Sequence, residues 1–533
     1  MLSFSPTFLF ILLSLILSLI SHVVVAVPIA TSVTQHHLKL RKLPVFRDDE
    51  HPVVAFERHY EAAIRRLYSY KRLPPPQRDY FVQLAKERRH MLESDTMLHK
   101  RTWTPPSLGK TRSIQSSKRA YWREGGNKPS GISESLPKIH KLAINGTGTA
   151  AAAASSTVTA SGSNSNGFSQ AAADAGNILT NSTSALVQGG LHYTIYSNDI
   201  GYLCEVQIGT PPQSFLMLMD TGSADTWVPS TECLPQNCGN HLSLGANVSS
   251  TFQKSNRTFE VTYGSGAVSG VIGVDTITVA GMTLDNHPIG VTLQESVQFA
   301  DDKVPFDGLM GLAMNQLSHQ DVPTIVDSLQ STGLIKNAIL GIALGRFTDG
   351  ENDGELVFGQ ADASKFDPST TQTLPVTSSD GFWQVSMSAV TIDGQDAVVN
   401  RQAILDNGTT LMMAPNDDKV CCHDPPSSVN MLSLFNSIGN GMFSIPCTIE
   451  QVVTMTFGNV AFQIDVRDLI FQPITTEFRG SCVSSVSAGT IKNGDTWLLG
   501  DSFLKNVYMT TNVNDKTVQL SARMDAPESS SHK

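Results

Sequence analysis

Downstream of about residue 190, short apolar runs rich in Val, Ile, Thr and Phe alternate with turns of Gly, Asp and Asn. Runs at 203–208, 215–219, 259–263, 268–274, 385–392 and 507–513 have the length and composition of strands. The best helical stretch in this part is 322–331. The fold class is therefore mainly β. Upstream the pattern changes. Over 54–70, apolar residues recur at helical spacing with Glu57, Arg58, Glu61 and Arg65 between them. Ala150 to Ala154 leads into a tract of Ser, Thr, Asn and Gly that cannot build a packed core and reads as a flexible linker. At the start, 8–20 is almost wholly apolar and is followed by Val23, Val24, Val25 and the small Ala26. This predicts a signal peptide cleaved after Ala26 rather than a membrane anchor, because no basic stop-transfer cluster follows at once. No later run is long enough to span a bilayer, and the polar tail lacks a GPI signal.

A chain of 533 residues, 40% hydrophobic, is long enough for two core-forming domains and additional segments. Its formal net charge of -10 is unevenly spread. Residues 1–189 hold 23 Lys+Arg against 12 Asp+Glu, a balance of +11, and the remainder holds 15 against 36, a balance of -21. The two parts should attract each other, and the acidic part would repel nucleic acid. The organisation read from these shifts is a signal peptide 1–26, a basic propeptide 27–142 and a low-complexity segment 143–190 serving as linker, propeptide or mature extension. An N-terminal lobe 191–375, a C-terminal lobe 376–524 and a polar tail 525–533 follow. The dibasic pairs Arg88-Arg89, Lys100-Arg101 and Lys118-Arg119 are candidate processing sites. All seven cysteines lie at or after Cys204. In an exported chain disulfides are the default: Cys233 with Cys238 can close a small loop, and Cys447 with Cys482 a larger one. Cys421 and Cys422 are adjacent, and the odd count leaves one thiol over. Zinc is the alternative, but no CxxC or clustered His accompanies them. Sequons mark Asn145, Asn181, Asn247 and Asn256 as glycosylation candidates.

An internal repeat carries the chemistry. An apolar run enters Asp220-Thr221-Gly222-Ser223, and another enters Asp406-Asn407-Gly408-Thr409. Each is echoed downstream by an apolar pair and a glycine, at Leu309-Met310-Gly311 and Leu498-Leu499-Gly500. One Asp-x-Gly is a common turn, but two with the same lead-in, hydroxyl and echo predict two related lobes that each contribute a carboxylate. Facing carboxylates cannot both ionise cheaply and share a proton. The ionised member can take a proton from a held water, which attacks a peptide carbonyl while the protonated member supports the oxyanion. Ser223 and Thr409 are placed to hold the outer oxygens, and Gly222 and Gly408 to permit tight turns.

The stretch from Asp220 to Ser230, with its Trp227-Val228-Pro229-Ser230, resembles the first active-site motif of the pepsin-like aspartic endopeptidases, secreted fungal members above all. Residues 202–213 are similar to that family's first mature strand and turn. Val261-Thr262-Tyr263-Gly264-Ser265-Gly266 resembles its flap hairpin, and the two apolar-Gly segments resemble its lobe-closing strands. The resemblance covers about 195–520. It implies a bilobal β fold of two pseudo-twofold-related barrel-like lobes with the site between them. It also implies an acid-working endopeptidase with Asp220 and Asp406 as catalytic pair, made as a secreted zymogen, extracellular or vacuolar, without metal or cofactor. By the same resemblance Tyr263 closes over the cleft, Trp227 bonds to it and walls the site, and Phe299 is a candidate lining residue. Cys233/Cys238 and Cys447/Cys482 match the family's disulfide positions. The expected partners are protein or peptide substrates and the chain's own propeptide as inhibitor, in a monomer free of nucleic acid and, once the signal is removed, of membrane.

Asn407 departs from the pattern, where the family most often has Thr or Ser bracing the opposite loop. It also opens a formal sequon that burial is expected to silence. On this residue alone rests a rival reading, a weak homologue that binds peptides. A secreted adhesion or cell-wall protein, suggested by the linker, leaves both Asp motifs unexplained.

Overall fold

The structure, a computed structural model, describes residues 52–70, 80, 179–182, 186–197, 199–349, 352–416, 418, 434–439, 441–473, 480–489 and 494–525. The signal peptide, the dibasic pairs, the Asn145 sequon and Cys421-Cys422 lie outside the described residues, as does the tail beyond 525.

The chain from 179 onward is mainly β, as the alternation of apolar runs and turns predicts. The expected strands are present, several of them longer, such as Gln213–Asp220, Ala267–Val279 and Gln384–Ile392. The helix expected over 322–331 is Ile325–Ser331. Thr324 ends it on the amino side by accepting from Asp327 N while Asp327 caps in return, so Val322 stays outside.

The internal repeat becomes a repeated crossing of strands. Gln213–Asp220 runs parallel to Gly308–Gly311, which is antiparallel to Thr226–Pro229, which in turn parallels Met282–Glu295. In the other half, Gln395–Leu405 runs parallel to Thr496–Leu499. That strand is antiparallel to Met412–Pro415, which parallels Val486–Gly489. The inner strands of both halves are buried throughout, hence their unbroken apolar sequence. The glycines of the downstream echo are needed for close approach. A Cβ on Gly311 would lie 2.5 Å from Ala224 C, and one on Gly500 2.0 Å from Thr409 O. Each strand therefore presses onto the Asp loop of its own half.

A third, six-stranded sheet joins the halves, in the order Gln372–Pro375, Thr517–Ala522, Val507–Asn512, Ile339–Ala343, Glu355–Phe358, Gly190–His192. Strands from both sides of the expected boundary at 375/376 interleave in this sheet. Within and at the end of the segment expected as linker, propeptide or mature extension, Leu179–Asn181 and Gly190–His192 are strands of the packed body. Three-residue strands need few apolar residues, so composition hid them. A buried ion network fastens the base of this sheet to the second half: Lys505 Nζ lies 2.9 Å from Asp199 Oδ2 and 2.7 Å from Asp468 Oδ1, and Arg346 Nε lies 2.9 Å from Asp468 Oδ2.

Disulfides join Cys233 to Cys238 and Cys447 to Cys482, and Cys204 is a buried free thiol. The sequence separations are 5 and 35. On the loop-entropy account, replacing Cys447 and Cys482 by serine is expected to cost about 4 kcal/mol, and opening the small loop about 2 kcal/mol. Urea midpoints of the two variants check the order; equal losses contradict it.

The helix Pro52–Tyr70 packs on the body of the protein. Its stripe of Phe56, Tyr60, Ala63, Ile64 and Leu67 has the spacing of one helical face. It is buried against residues of the second half, including Phe382, Leu411, Met413, Met442 and Phe471. Among the described residues, no helix is long and apolar enough to cross a membrane.

Candidate active site

The two Asp turns meet at the join between the halves, and both carboxylates are fully buried. Asp220 Oδ1 accepts from Gly222 N at 2.9 Å, and its Oδ2 accepts from Ser223 Oγ at 2.6 Å. Asp406 repeats this with Gly408 N at 2.9 Å and Thr409 Oγ1 at 2.7 Å. Each carboxylate is thus aimed by its own turn. The turns touch: a Cβ on Gly408 would fall 2.3 Å from Asp220 Oδ1. Only glycine permits that approach.

The loops also brace each other. Thr221 Oγ1 accepts from Asn407 N at 3.0 Å and donates to Leu405 O at 3.2 Å. Asn407 returns the contact, its Oδ1 accepting from Thr221 N at 2.7 Å. The departure at 407 therefore keeps the cross-loop bond and adds a contact, Nδ2 to Tyr193 OH at 3.3 Å. With no exposed surface, Asn407 is shielded from glycosylation, whereas Asn181, Asn247 and Asn256 are exposed.

Above the pair lies the hairpin. Tyr263 N donates to Gly266 O at 2.7 Å and closes the turn over Gly264 and Ser265. Trp227 Nε1 donates to Tyr263 OH at 2.8 Å. Burial pushes the Tyr263 hydroxyl pKa well up, so it stays a neutral hydrogen-bonding group. A cavity of about 280 Å³ opens beside the hairpin, lined by Arg66, Ser223, Tyr263, Leu317, His319 and Phe382 among others. Trp227 and Phe299 do not line it. They stack edge-on behind Tyr263, with ring centroids 5.3 Å apart, and support the hairpin from the core. The cavity wall at 316–319 is set by a buried acid outside the expected site. Asp225 accepts from Ser318 Oγ at 2.8 Å and from His319 N and Gln320 N, each at 2.9 Å.

The leader supplies the largest addition. Arg66 crosses the pair: its Nη2 contacts Asp220 Oδ1, its Nε lies 2.7 Å from Asp406 Oδ2, and its Nη1 donates to Gly408 O at 2.7 Å. One planar guanidinium thus spans both carboxylates, which places them face to face. The rest of the helix fills the groove. Tyr60 OH donates to Ala488 O at 2.9 Å, His59 Nδ1 lies 3.3 Å from Thr410 Oγ1, and Ala62 O lies where a Cβ on Gly264 would be. A basic leader facing an acidic body foretold such a contact. Nothing in its spacing singled out Arg66 among 23 basic residues upstream of 190. Tyr193 and Asp225 were also missed, being an ordinary strand aromatic and an ordinary turn acid by sequence.

Comparison with known proteins agrees with this geometry. A family model described as "Eukaryotic aspartyl protease" matches residues 201–523. Rhizopuspepsin-1 of Rhizopus niveus is 34% identical over 358 residues, which is 66% of this chain and 85% of the relative. A protein named "Probable aspartic-type endopeptidase CTSD" from Trichophyton verrucosum is 33% identical over 327 residues, 61% of each chain. Cathepsin E-A of Xenopus laevis is 31% identical over 341 residues, 62% of this chain and 81% of the relative.

Proposed function

Because the chain belongs to the eukaryotic aspartyl protease family and is an aspartic endopeptidase, we propose that Asp220 and Asp406 are its catalytic pair, and that it is a secreted zymogen whose Pro52–Tyr70 helix holds the pair inactive until acid releases it. The observation that carries this reading is the Arg66 guanidinium across both carboxylates, with the helix occupying the groove a peptide would need.

With the helix gone, the pair takes one proton in place of the guanidinium. The ionised member takes a proton from a water held between the carboxylates. The water oxygen bonds to the peptide carbonyl carbon, and the protonated member donates to the carbonyl oxygen as charge develops there. Proton transfer from the pair to the amide nitrogen breaks the C–N bond, while a hydroxyl of the tetrahedral intermediate gives its proton back to the other carboxylate as the carbonyl re-forms, so the pair is left with one proton again. Gly222, Gly408, Ser223 and Thr409 keep the carboxylates aimed through these transfers. Tyr263 and the hairpin exclude bulk water. Apolar walls such as Leu317 and Phe382 favour hydrophobic side chains in the cavity beside the cut bond. Asn181, Asn247 and Asn256 are the glycan acceptors this reading offers on the exported, monomeric protein.

The precursor, purified at neutral pH, is expected to leave haemoglobin intact. After acidification it should cleave haemoglobin in a pepstatin-sensitive way and lose the segment that carries Arg66. Cleavage of equal rate before and after acid treatment, or insensitivity to pepstatin, would sink the proposal.

A further inference from the structure

We infer that Tyr193 is a positioning residue for the catalytic pair, acting through the Asn407 amide; this rests on the reading of Asp220 and Asp406 as that pair. The orientation of the amide is fixed by its oxygen. Because Asn407 Oδ1 accepts from Thr221 N at 2.7 Å, Nδ2 points away from the opposite loop and must donate. The site has no exposed surface, so a donor without acceptor there costs its desolvation. Tyr193 OH, 3.3 Å away and equally buried, is the acceptor. A threonine at 407 would carry no second polar atom and would ask nothing of Tyr193. The hydroxyl is therefore tied to the asparagine.

Tyr193 is itself anchored at both backbone groups. Its N donates to Gly354 O at 3.1 Å, and its O accepts from Ser182 N at 3.2 Å and Asn352 Nδ2 at 2.7 Å. Its ring meets Tyr202 edge-on, centroids 5.6 Å apart. Burial pushes its pKa well up, so the hydroxyl stays neutral across the working range. A rigid hydroxyl thus holds an amide, which holds Thr221 N, the peptide next to Asp220. The opposite loop has no such dependence, since Thr221 completes both of its bonds within the two Asp turns. Tyr193 precedes the region matched by the family model, which begins at 201. The strand segment at the entry to the packed body is thereby coupled to catalysis, and a processed enzyme that kept full activity would retain it.

The test is a double-mutant cycle on acid-activated enzyme, with active sites counted by pepstatin titration. Tyr193→Phe in the natural background should lower kcat about fivefold with KM within twofold, and displace one limb of the pH profile. In the Asn407→Thr background the same change should alter kcat less than twofold. Equal losses in both backgrounds, or a loss that vanishes once rates are divided by titrated sites, overturns the inference. If Asn407→Thr does not fold, Asn407→Ser serves as the second background with the same expectation. In the single variant, an unchanged kcat and pH profile also overturns it. Natural enzyme that shows no pepstatin-sensitive cleavage instead defeats the reading of the pair, which separates the two failures.

Discussion

Asp220→Asn and Asp406→Asn should each remove peptide cleavage by at least about 10⁴-fold in kcat, with the fold retained. Asparagine keeps the shape of aspartate: its one oxygen can still accept from the backbone N–H of its own turn, and its NH2 can donate to the hydroxyl of Ser223 or Thr409. What it cannot do is exchange a proton with the water or the peptide. Because the two groups act as a unit, the double variant should be little worse than either single one. Initial rates on a peptide substrate, with far-ultraviolet circular dichroism as control, decide the matter. Losses of only tenfold, or losses that multiply in the double variant, would mean that the carboxylates do not share one task.

Arg66→Met should convert the precursor from a closed to a leaky form. Methionine keeps much of the stem but leaves the carboxylates without their shared cation. Deleting one side of a buried ion pair costs several kcal/mol, partly recovered here when the pair takes up a proton. A net loss of about 3 kcal/mol makes the open groove roughly 100-fold more populated. The pH at which cleavage begins should rise by about one unit or more. His59 adds a second acid-sensitive contact. Burial, helped by the neighbouring Arg58, lowers its pKa to about 4 in the docked helix. A group depressed in the docked state helps docking above its free value near 6.5 and withdraws that help as the pH falls from there towards 4. The ceiling of that effect is about 300-fold, less for a ring that keeps some surface in solvent. Acid thus acts in one direction at both residues, by cancelling the carboxylate charge under Arg66 and by charging His59. Unchanged activation pH in Arg66→Met would refute the role given to this arginine.

The dyad was legible in the sequence because its requirements are local. A strand, an Asp, a glycine and a hydroxyl must follow in order, and the structure uses each where the motif puts it. The echo at Gly311 and Gly500 was legible as a repeat, although its reason, the contact with Ala224 and Thr409, needed coordinates. The six-stranded sheet was not legible, since it is assembled from strands more than 300 residues apart, such as Gly190–His192 and Val507–Asn512. Arg66 and Tyr193 were hidden for the same reason. Each earns its role from a partner hundreds of positions away, and neither differs in local pattern from its neighbours. Trp227 was legible through its bond to Tyr263, which pairs a core indole with the hairpin hydroxyl.

The joining sheet has a bearing on when the enzyme can first exist. Its inner members, Val507–Asn512 and Thr517–Ala522, are the last described strands to leave the ribosome, yet they pair with Ile339–Ala343 and Gln372–Pro375 made long before. A nascent polypeptide therefore cannot complete the sheet that joins the two halves until these strands have been made, and a stop codon ahead of them would remove its inner members.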